Sequence, residues 1–364
     1  MNKIILPRCL KRIKPIILTL PILIQLGCST SSMDTVTEYK KAEDSLLILQ
    51  KENLELGILA DVGGRVVLLR EAGGENLLKS DPTLWNEAAV DRFSPGDEPV
   101  WKEYGGHIVW LAPQSDWWNH QTEFPQMKDK DWPPDPYIIY GKYDVVESSP
   151  AYAKLIGPNS PVSGMRLIKE YWVEADQTVR LRVTAENIRD EPVNWGIWTT
   201  TRFPGETRSY LPLDPRQDPE FSFKGSFADS KNPLPYRIVN GFFTFSIDEP
   251  VPAGMEGWSN KVFATSLDGW LAAFPGKKAF IKRADTRFAN QVHEEHGFAE
   301  IYNNVPANQG GWSLLELELH GPYSKIFPRD SISVEEVWHV FDYDGACDAL
   351  DQSVFLWQIS KQLK

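Results

Sequence analysis

From about residue 45 onward, apolar and polar residues alternate in short runs that are broken by Gly, Pro, Asn or Asp. Alternation with period two puts successive side chains on opposite faces of a strand, so the pattern predicts an all-β fold of many short antiparallel strands. The clearest run is Thr178–Asn187, where Val179, Leu181, Val183 and Ala185 share one face and Arg180, Arg182, Thr184 and Glu186 the other. The run over 313–320 repeats the pattern, with Leu315, Leu317 and Leu319 opposite Leu314, Glu316, Glu318 and His320. Further strands are predicted over 46–50, 54–59, 65–70, 145–156, 165–174, 193–203, 242–247, 270–274, 279–283 and 333–343. One short C-terminal helix is predicted over 347–362, packed through a stripe of Leu350, Val354, Phe355, Trp357 and Ile359. Residues 76–140 have no such period and are rich in Trp, Pro, Gly and Asp, a combination that points to a functional loop region and, with so many rings, away from disorder.

The first residues differ from the rest. Lys3, Arg8, Lys11, Arg12 and Lys14 precede an apolar run over 15–26 that ends in Gly27-Cys28-Ser29. This is the order of a secretory signal peptide, 1–27, and the run is well short of the roughly 20 residues a membrane-spanning helix needs. Leu23-Ile24-Gln25-Leu26-Gly27-Cys28 resembles a bacterial lipobox, with Gln25 where Leu is usual, which makes Cys28 the expected site of acylation. Each buried acyl CH₂ contributes about 0.8 kcal/mol, so two or three chains hold a protein on a membrane. Residues 28–44 then read as a flexible tether, and 45–364 as the folded domain. The expected location is the cell envelope, either the periplasmic face of an outer membrane or the cell surface.

Removing the signal takes five positive charges with it, so a net charge of −12 becomes −17. No basic face is visible, and nucleic acid is not an expected partner. Only Cys347 remains once Cys9 leaves and Cys28 is acylated, so no internal disulfide can form and burial alone must hold the core.

Candidate chemistry is concentrated in the aromatic stretch. Of 14 Trp residues, Trp85, Trp101, Trp110, Trp117, Trp118 and Trp132 fall within it. Indole rings offer flat apolar faces to sugar C–H groups and an N–H to a hydroxyl, although such rings also plug the edges of large sandwiches. Tyr104-Gly-Gly-His107 places a His after two Gly, where backbone can approach a ligand, with Trp110 and Gln114 close behind. Arg202, on one strand face with Trp198 and Thr200, is a candidate for holding hydroxyls or a carboxylate. Glu316, Glu318 and His320 share a face that is either solvated or a binding cleft. No cofactor motif is present and no metal site is expected: His293 and His296 are three apart in a non-periodic stretch, unlike a zinc motif. There is no G-x-S-x-G, and nothing near Cys347 would activate it as a nucleophile.

Several segments together resemble galactose mutarotase-like proteins: Gly63 to Leu78 as an opening hairpin, Gly105-Gly-His-Ile-Val-Trp-Leu-Ala-Pro-Gln114, Trp132-Pro-Pro-Asp135, and Val193-Asn-Trp-Gly-Ile-Trp198. A Leu-Glu-Leu-Glu strand, a Pro-containing turn and Glu335-Glu-Val-Trp-His339 complete the resemblance, which spans about residues 50–343. It implies a large antiparallel β-supersandwich with a sugar cleft on a concave face. In aldose 1-epimerases of that kind a Glu on a late strand takes the anomeric proton while a His protonates the ring oxygen. Glu316 or Glu318 matches the Glu by position. The family's His pattern is missing at 195–202, which leaves His107 as the acid from another direction. Trp110, Gln114, Trp118, Trp198, Arg202 and His320 are then the substrate-binding candidates. The resulting expectation is an envelope lipoprotein that binds or acts on sugars. A non-catalytic glycan binder, a lyase or glycoside hydrolase of related fold, and a structural envelope protein remain alternatives.

Overall fold

The computed structural model describes residues 42–87, 101–213, 222–225, 236–246, 258–264, 268–305 and 313–363. The expected signal segment, Cys28 and most of the expected tether lie outside them. Among the described residues are β1 (Leu47–Lys51), β2 (Leu54–Leu59), β3 (Arg65–Glu71), β4 (His107–Ala112), β5 (Asp144–Ser149), β6 (Tyr152–Ile156), β7 (Met165–Glu174), β8 (Thr178–Asn187), β9 (Val193–Pro204) and β10 (Arg208–Pro212). Then follow β11 (Ser222–Gly225), β12 (Arg237–Val239), β13 (Phe242–Phe245), β14 (Trp258–Ala264), β15 (Trp270–Phe274), β16 (Lys278–Ala284), β17 (Ala299–Val305), β18 (Leu314–His320), β19 (Ser324–Ile326) and β20 (Ser331–Asp342). Two short helices accompany them, α1 (Pro136–Ile139) and α2 (Ala349–Ile359).

The strands form two antiparallel sheets. The first runs β1-β2-β3-β4-β9-β18-β17-β14-β11, with β19 added to β9, and the second runs β12-β13-β10-β15-β16-β20-β8-β7-β6-β5. β7 and β8 alternate between buried and half-exposed along their whole length, as their sequences predict, with Leu167, Tyr171, Val179, Leu181 and Val183 turned to the other sheet. Each fully buried aliphatic side chain contributes about 1.5–3 kcal/mol. The predicted strand over 145–156 is a hairpin, β5 and β6, because the chain turns at Pro150 and Ala151. The expected strand over 242–247 is seen as β13; Ile247 lies outside the described residues.

The layer between the sheets is not wholly apolar. Lys282 Nζ, fully buried on β16, donates to Thr199 O (3.1 Å), Thr201 Oγ1 (3.2 Å) and Leu317 O (3.2 Å) of the first sheet. It lies 3.2 Å from Glu336 Oε1 on β20, whose other oxygen accepts from Trp338 Nε1 at 2.9 Å. Hydrogen bonds to three carbonyl or hydroxyl groups of the opposite sheet thus tie the two sheets at one point.

α2 is capped by Asp348, whose carboxylate accepts from Leu350 N and Asp351 N. It covers the outer side of the second sheet, packing Leu356 and Ile359 on Tyr210, Phe274, Ile281 and Tyr343. The predicted stripe is corrected here. Ala349, Gln352, Ser353, Leu356 and Ile359 are buried, while Leu350, Val354 and Trp357 are exposed. At 100° per residue the two sets form adjacent stripes, and the sequence offers apolar residues on both.

Candidate functional site

Paired residues of neighbouring antiparallel strands share a sheet face. Across β9 and β18 the pairs are Trp198 with His320, Thr200 with Glu318 and Arg202 with Glu316. β17 continues the row with Glu300 beside Glu318 and Tyr302 beside Glu316, and β14 adds Lys261 beside Tyr302. On the other flank β4 sets Trp110 beside Trp198. Leu315, Leu317 and Leu319 point the opposite way into the core, so all of these residues lie on the face turned away from the second sheet.

Loop residues roof this face. Trp101, Trp117 and Trp132 gather round Trp110 with ring centroids 6.2, 5.6 and 6.3 Å away, and Trp110 meets Trp198 edge-on at 4.7 Å. Trp132 forms the lip, 39% exposed, while Arg202, Glu316, Glu318, Glu300 and His320 beneath are all buried. The roof explains why a polar row on an outer face is nearly dry.

Two ion-paired groups occupy the row. Arg202 Nε donates to Glu316 Oε1 at 2.6 Å and its Nη1 to Glu103 Oε2 at 3.2 Å, with the guanidinium 5.3 Å from the Trp101 ring. Lys261 Nζ sits 2.7 Å from both Glu300 Oε2 and Glu318 Oε2, and 4.4 Å from the Trp198 ring centre. Trp198 Nε1 also donates to Glu318 Oε2 at 2.6 Å. Glu300 Oε1 accepts from Gly297 N at 2.9 Å and faces His296 Nδ1 at 3.1 Å.

Burial and neighbours separate the two glutamates. Burial raises the Glu318 carboxyl well above the usual carboxylate range, with Lys261 opposing and the charges of Glu300 and Glu316 adding to the rise. Burial acts the same way on Glu300, yet Lys261, His320 and His296 outweigh it and hold that carboxylate well below the range. Burial lowers His320 to about 4 against the pull of Glu300. Four buried polar atoms on or beside this face have no partner among the described residues, Trp110 Nε1, Thr200 Oγ1, Glu318 Oε1 and His296 Nε2, while His320 Nε2 and Glu300 Oε2 have only their ion-pair contacts, to Glu300 Oε1 and Lys261 Nζ. Atoms without a partner each cost about 1–3 kcal/mol unless water or a ligand meets them.

The row contains Trp110, Trp198, Arg202, Glu316, Glu318 and His320 of the expected residues. Three expectations are corrected. His107 pairs with Thr201 and faces inward, its Nδ1 3.0 Å from Thr201 Oγ1 and its ring 4.8 Å from Trp338 of the second sheet. It therefore lies across the sheet from Glu316 and Glu318 and cannot serve as their partner acid. Trp118 is fully buried, with Nε1 donating to Pro133 O at 2.7 Å, and so supports the roof from within. Gln114 uses its amide on Asp131 O at 2.8 Å, pinning one loop to another. Glu316, Glu318 and His320 are buried rather than solvated. Glu300, Lys261 and Glu103 were missed, and their only sequence signal is a run of polar residues within short apolar stretches; His296, weighed from sequence only beside His293, also lies here.

The inward His107 gives a measurable pH dependence. Burial, then the charges of Lys282 and Lys169, depress it well below 6.5, so the unfolded chain takes up the proton first. Stability is expected to fall as pH drops through about 6.5, by up to ~1.4 kcal/mol per pH unit. His107→Gln is expected to remove that part of the slope, read from urea midpoints at pH 7.5 and 5.5. Equal slopes for the two proteins would show that His107 is not held neutral.

Residues 45–341 match the model of a family described as a domain of unknown function, DUF4380. The chain belongs to the DUF4380 family. No curated protein matches it. This DUF4380 chain shares its architecture with a galactose mutarotase-like protein from Lactobacillus casei, at 9% identity and a TM-score of 0.52, over 81% of this chain and all of that one (100%). A TPR-domain containing protein from Parabacteroides distasonis is similar at 14% identity and a TM-score of 0.51, over 84% of this chain and 48% of that one. A putative aldose 1-epimerase from Escherichia coli K12 is similar at 15% identity, 0.47, over 82% and 99%. The DUF4380 fold is thus a galactose mutarotase-like antiparallel β-supersandwich, and at these identities the likeness concerns fold alone.

Proposed function

We propose that this DUF4380 protein is an envelope lipoprotein, tethered through Cys28, that binds an uncharged saccharide on the roofed face of its first sheet. One observation carries the reading: a cluster of Trp rings sits against buried hydrogen-bonding atoms that the protein leaves unpartnered. Sugars offer both things such a surface needs, C–H faces for indole and hydroxyls for isolated donors and acceptors. A charged sugar fits less well, because Arg202 and Lys261 are already paired to glutamates. The fold shared with a mutarotase-like protein supports the same ligand class.

A second reading, anomer exchange, is favoured by the opposite pKa shifts of Glu318 and Glu300 on one buried face, since groups pushed apart in this way suit acid–base work. With His107 on the inner face, the proton would be handled by Glu318 itself. The test is an NMR titration of the protein with mono- and oligosaccharides, following shift perturbation and anomer exchange together. Binding is expected, and Trp132→Ala, at the exposed lip, is expected to weaken it by about tenfold or more without changing the fold. Glu318→Gln is expected to stop any anomer exchange. Absence of perturbation across the sugar panel would end the saccharide reading, and binding without exchange would leave a pure binder.

A further inference from the structure

Beneath the roof, His296, Glu300 and His320 converge. Glu300 comes from the middle of the first sheet on β17, His320 ends β18, and His296 arrives from the turn that precedes β17, closed by His296 N donating to His293 O at 2.9 Å. One ligand-type atom from each residue lies within 4.8 Å of the other two. Glu300 Oε1 is 3.1 Å from His296 Nδ1 and 3.2 Å from His320 Nε2. Two donors each about 2.1 Å from one ion, at angles between octahedral and tetrahedral, lie about 3.0–3.4 Å apart. Both separations from Glu300 Oε1 fall in that interval, and the two histidine nitrogens, up to 4.8 Å apart, need only close to about 4.2 Å or less to share one ion.

His320 Nε2 meets Glu300 Oε1 at 3.2 Å and has no other polar contact among the described residues, so this nitrogen is directed at the cluster and nowhere else. The three side chains are only 5, 0 and 1% exposed. His296 Nε2 is without a partner among the described residues. The rings of His296 and His320 stack on each other at 4.4 Å and both lie against Trp198, at 4.9 and 5.2 Å. This indole walls one side of the cluster with apolar surface.

We infer that His296, Glu300 and His320 form a binding site for a divalent transition-metal ion. Two imidazoles and one carboxylate suit zinc, cobalt, nickel or ferrous iron, whereas magnesium and calcium prefer oxygen ligands throughout. Gly297 N, 2.9 Å from Glu300 Oε1, orients the carboxylate from behind, the role outer contacts play in metal sites. Lys261 is the competing cation. It grips Glu300 through Oε2, the oxygen turned from the histidines, and shares its charge with Glu318. Metal on Oε1 therefore leaves the Lys261 pairing in place, with two carboxylates to balance the added charge. This reverses the sequence expectation of no metal, in which His296 was weighed only with His293. His293 in fact packs its ring on Tyr323 at 4.7 Å. The inference concerns the same face as the saccharide reading but does not depend on it.

The test uses the full chain, stripped with a chelator and titrated with Zn²⁺ alone by calorimetry, and separately with Co²⁺ by visible absorption. Saturable uptake of a single ion is expected, with a rise in melting temperature. His296→Ala and His320→Ala are each expected to weaken binding by on the order of a hundredfold, and Lys261→Met to strengthen it. The inference fails if the wild-type protein shows no saturable uptake, or if the double histidine variant binds as well as the wild type. If these variants do not fold, the wild-type Co²⁺ spectrum decides, because bands of imidazole coordination support the site and their absence overturns it. Sugar binding measured on the stripped protein keeps the two readings separable.

Discussion

Lys282→Met is expected to lower the free energy of unfolding by about 3–5 kcal/mol, more than any substitution on the protein's surface. The ammonium of Lys282 is fully buried between the sheets and is met by Thr199, Thr201, Leu317 and Glu336. Burial itself lowers the Lys282 pKa, with Glu336 opposing, so the ion is held by its partners rather than by solvent. Removing it leaves the Glu336 carboxylate buried with Trp338 Nε1 and Thr199 Oγ1 as its remaining donors. Breaking a buried pair from one side costs far more than replacing both members. The double variant Lys282→Met with Glu336→Leu is therefore expected to recover most of the loss, giving a strong coupling in a double-mutant cycle. Urea unfolding of the four proteins provides the measurement. Additive losses would mean that the two charges do not depend on each other.

Gly106→Ala is the second large effect, about 3 kcal/mol of destabilisation, combining backbone strain with overpacking. Gly106 has φ +74°, and a Cβ there would lie 2.1 Å from Val66 O and 3.0 Å from the Val67 Cα. Its carbonyl accepts from Arg202 N at 3.0 Å, and its own N–H donates to Lys79 O at 2.7 Å. The sequence suggested that the two glycines admit a ligand to the backbone. They admit the 66–67 backbone and the Lys79 carbonyl instead, and so fix where β4 joins β9. Thermal unfolding should show the loss, and any surviving fold should have Arg202 displaced. A variant as stable as the wild type would show that this turn relaxes easily.

The elements that could be read from sequence are those with one apolar face in the core and polar residues on the other. β7, β8 and β18 announce themselves by alternation because their outer residues, such as Arg166, Arg182 and Glu316, are polar whatever their burial. β4 is buried at all six positions and therefore has no period, which is why residues 76–140 looked like one long loop. β14 and β17 were hidden for a related reason: the row carries Lys261 and Glu300 on a roofed face, so polar residues sit where a buried strand should be apolar. The side on which His107 falls was beyond local reading. Strand register decides it, and a shift by one residue would have turned it to the other face. Arg202, Glu316 and Glu318 were legible because β9 is long and β18 alternates cleanly. Their partners were not, since pairing across 57 or more residues leaves no local trace.

That separation has a consequence for how the protein becomes competent. Trp198 meets Glu318 across 120 residues of chain, Arg202 meets Glu316 across 114, and Lys261 meets Glu318 across 57. Each contact is gained only after a long loop has closed, and chains dominated by such pairings fold slowly. The β17–β18 hairpin holds Glu300, Glu316, Glu318 and His320, but Trp198, Arg202 and Lys261 come to it from other strands. While the central strands of the first sheet are still unpaired, the polar row is dispersed over distant stretches of the chain. The row is complete only once the last of those strands has docked.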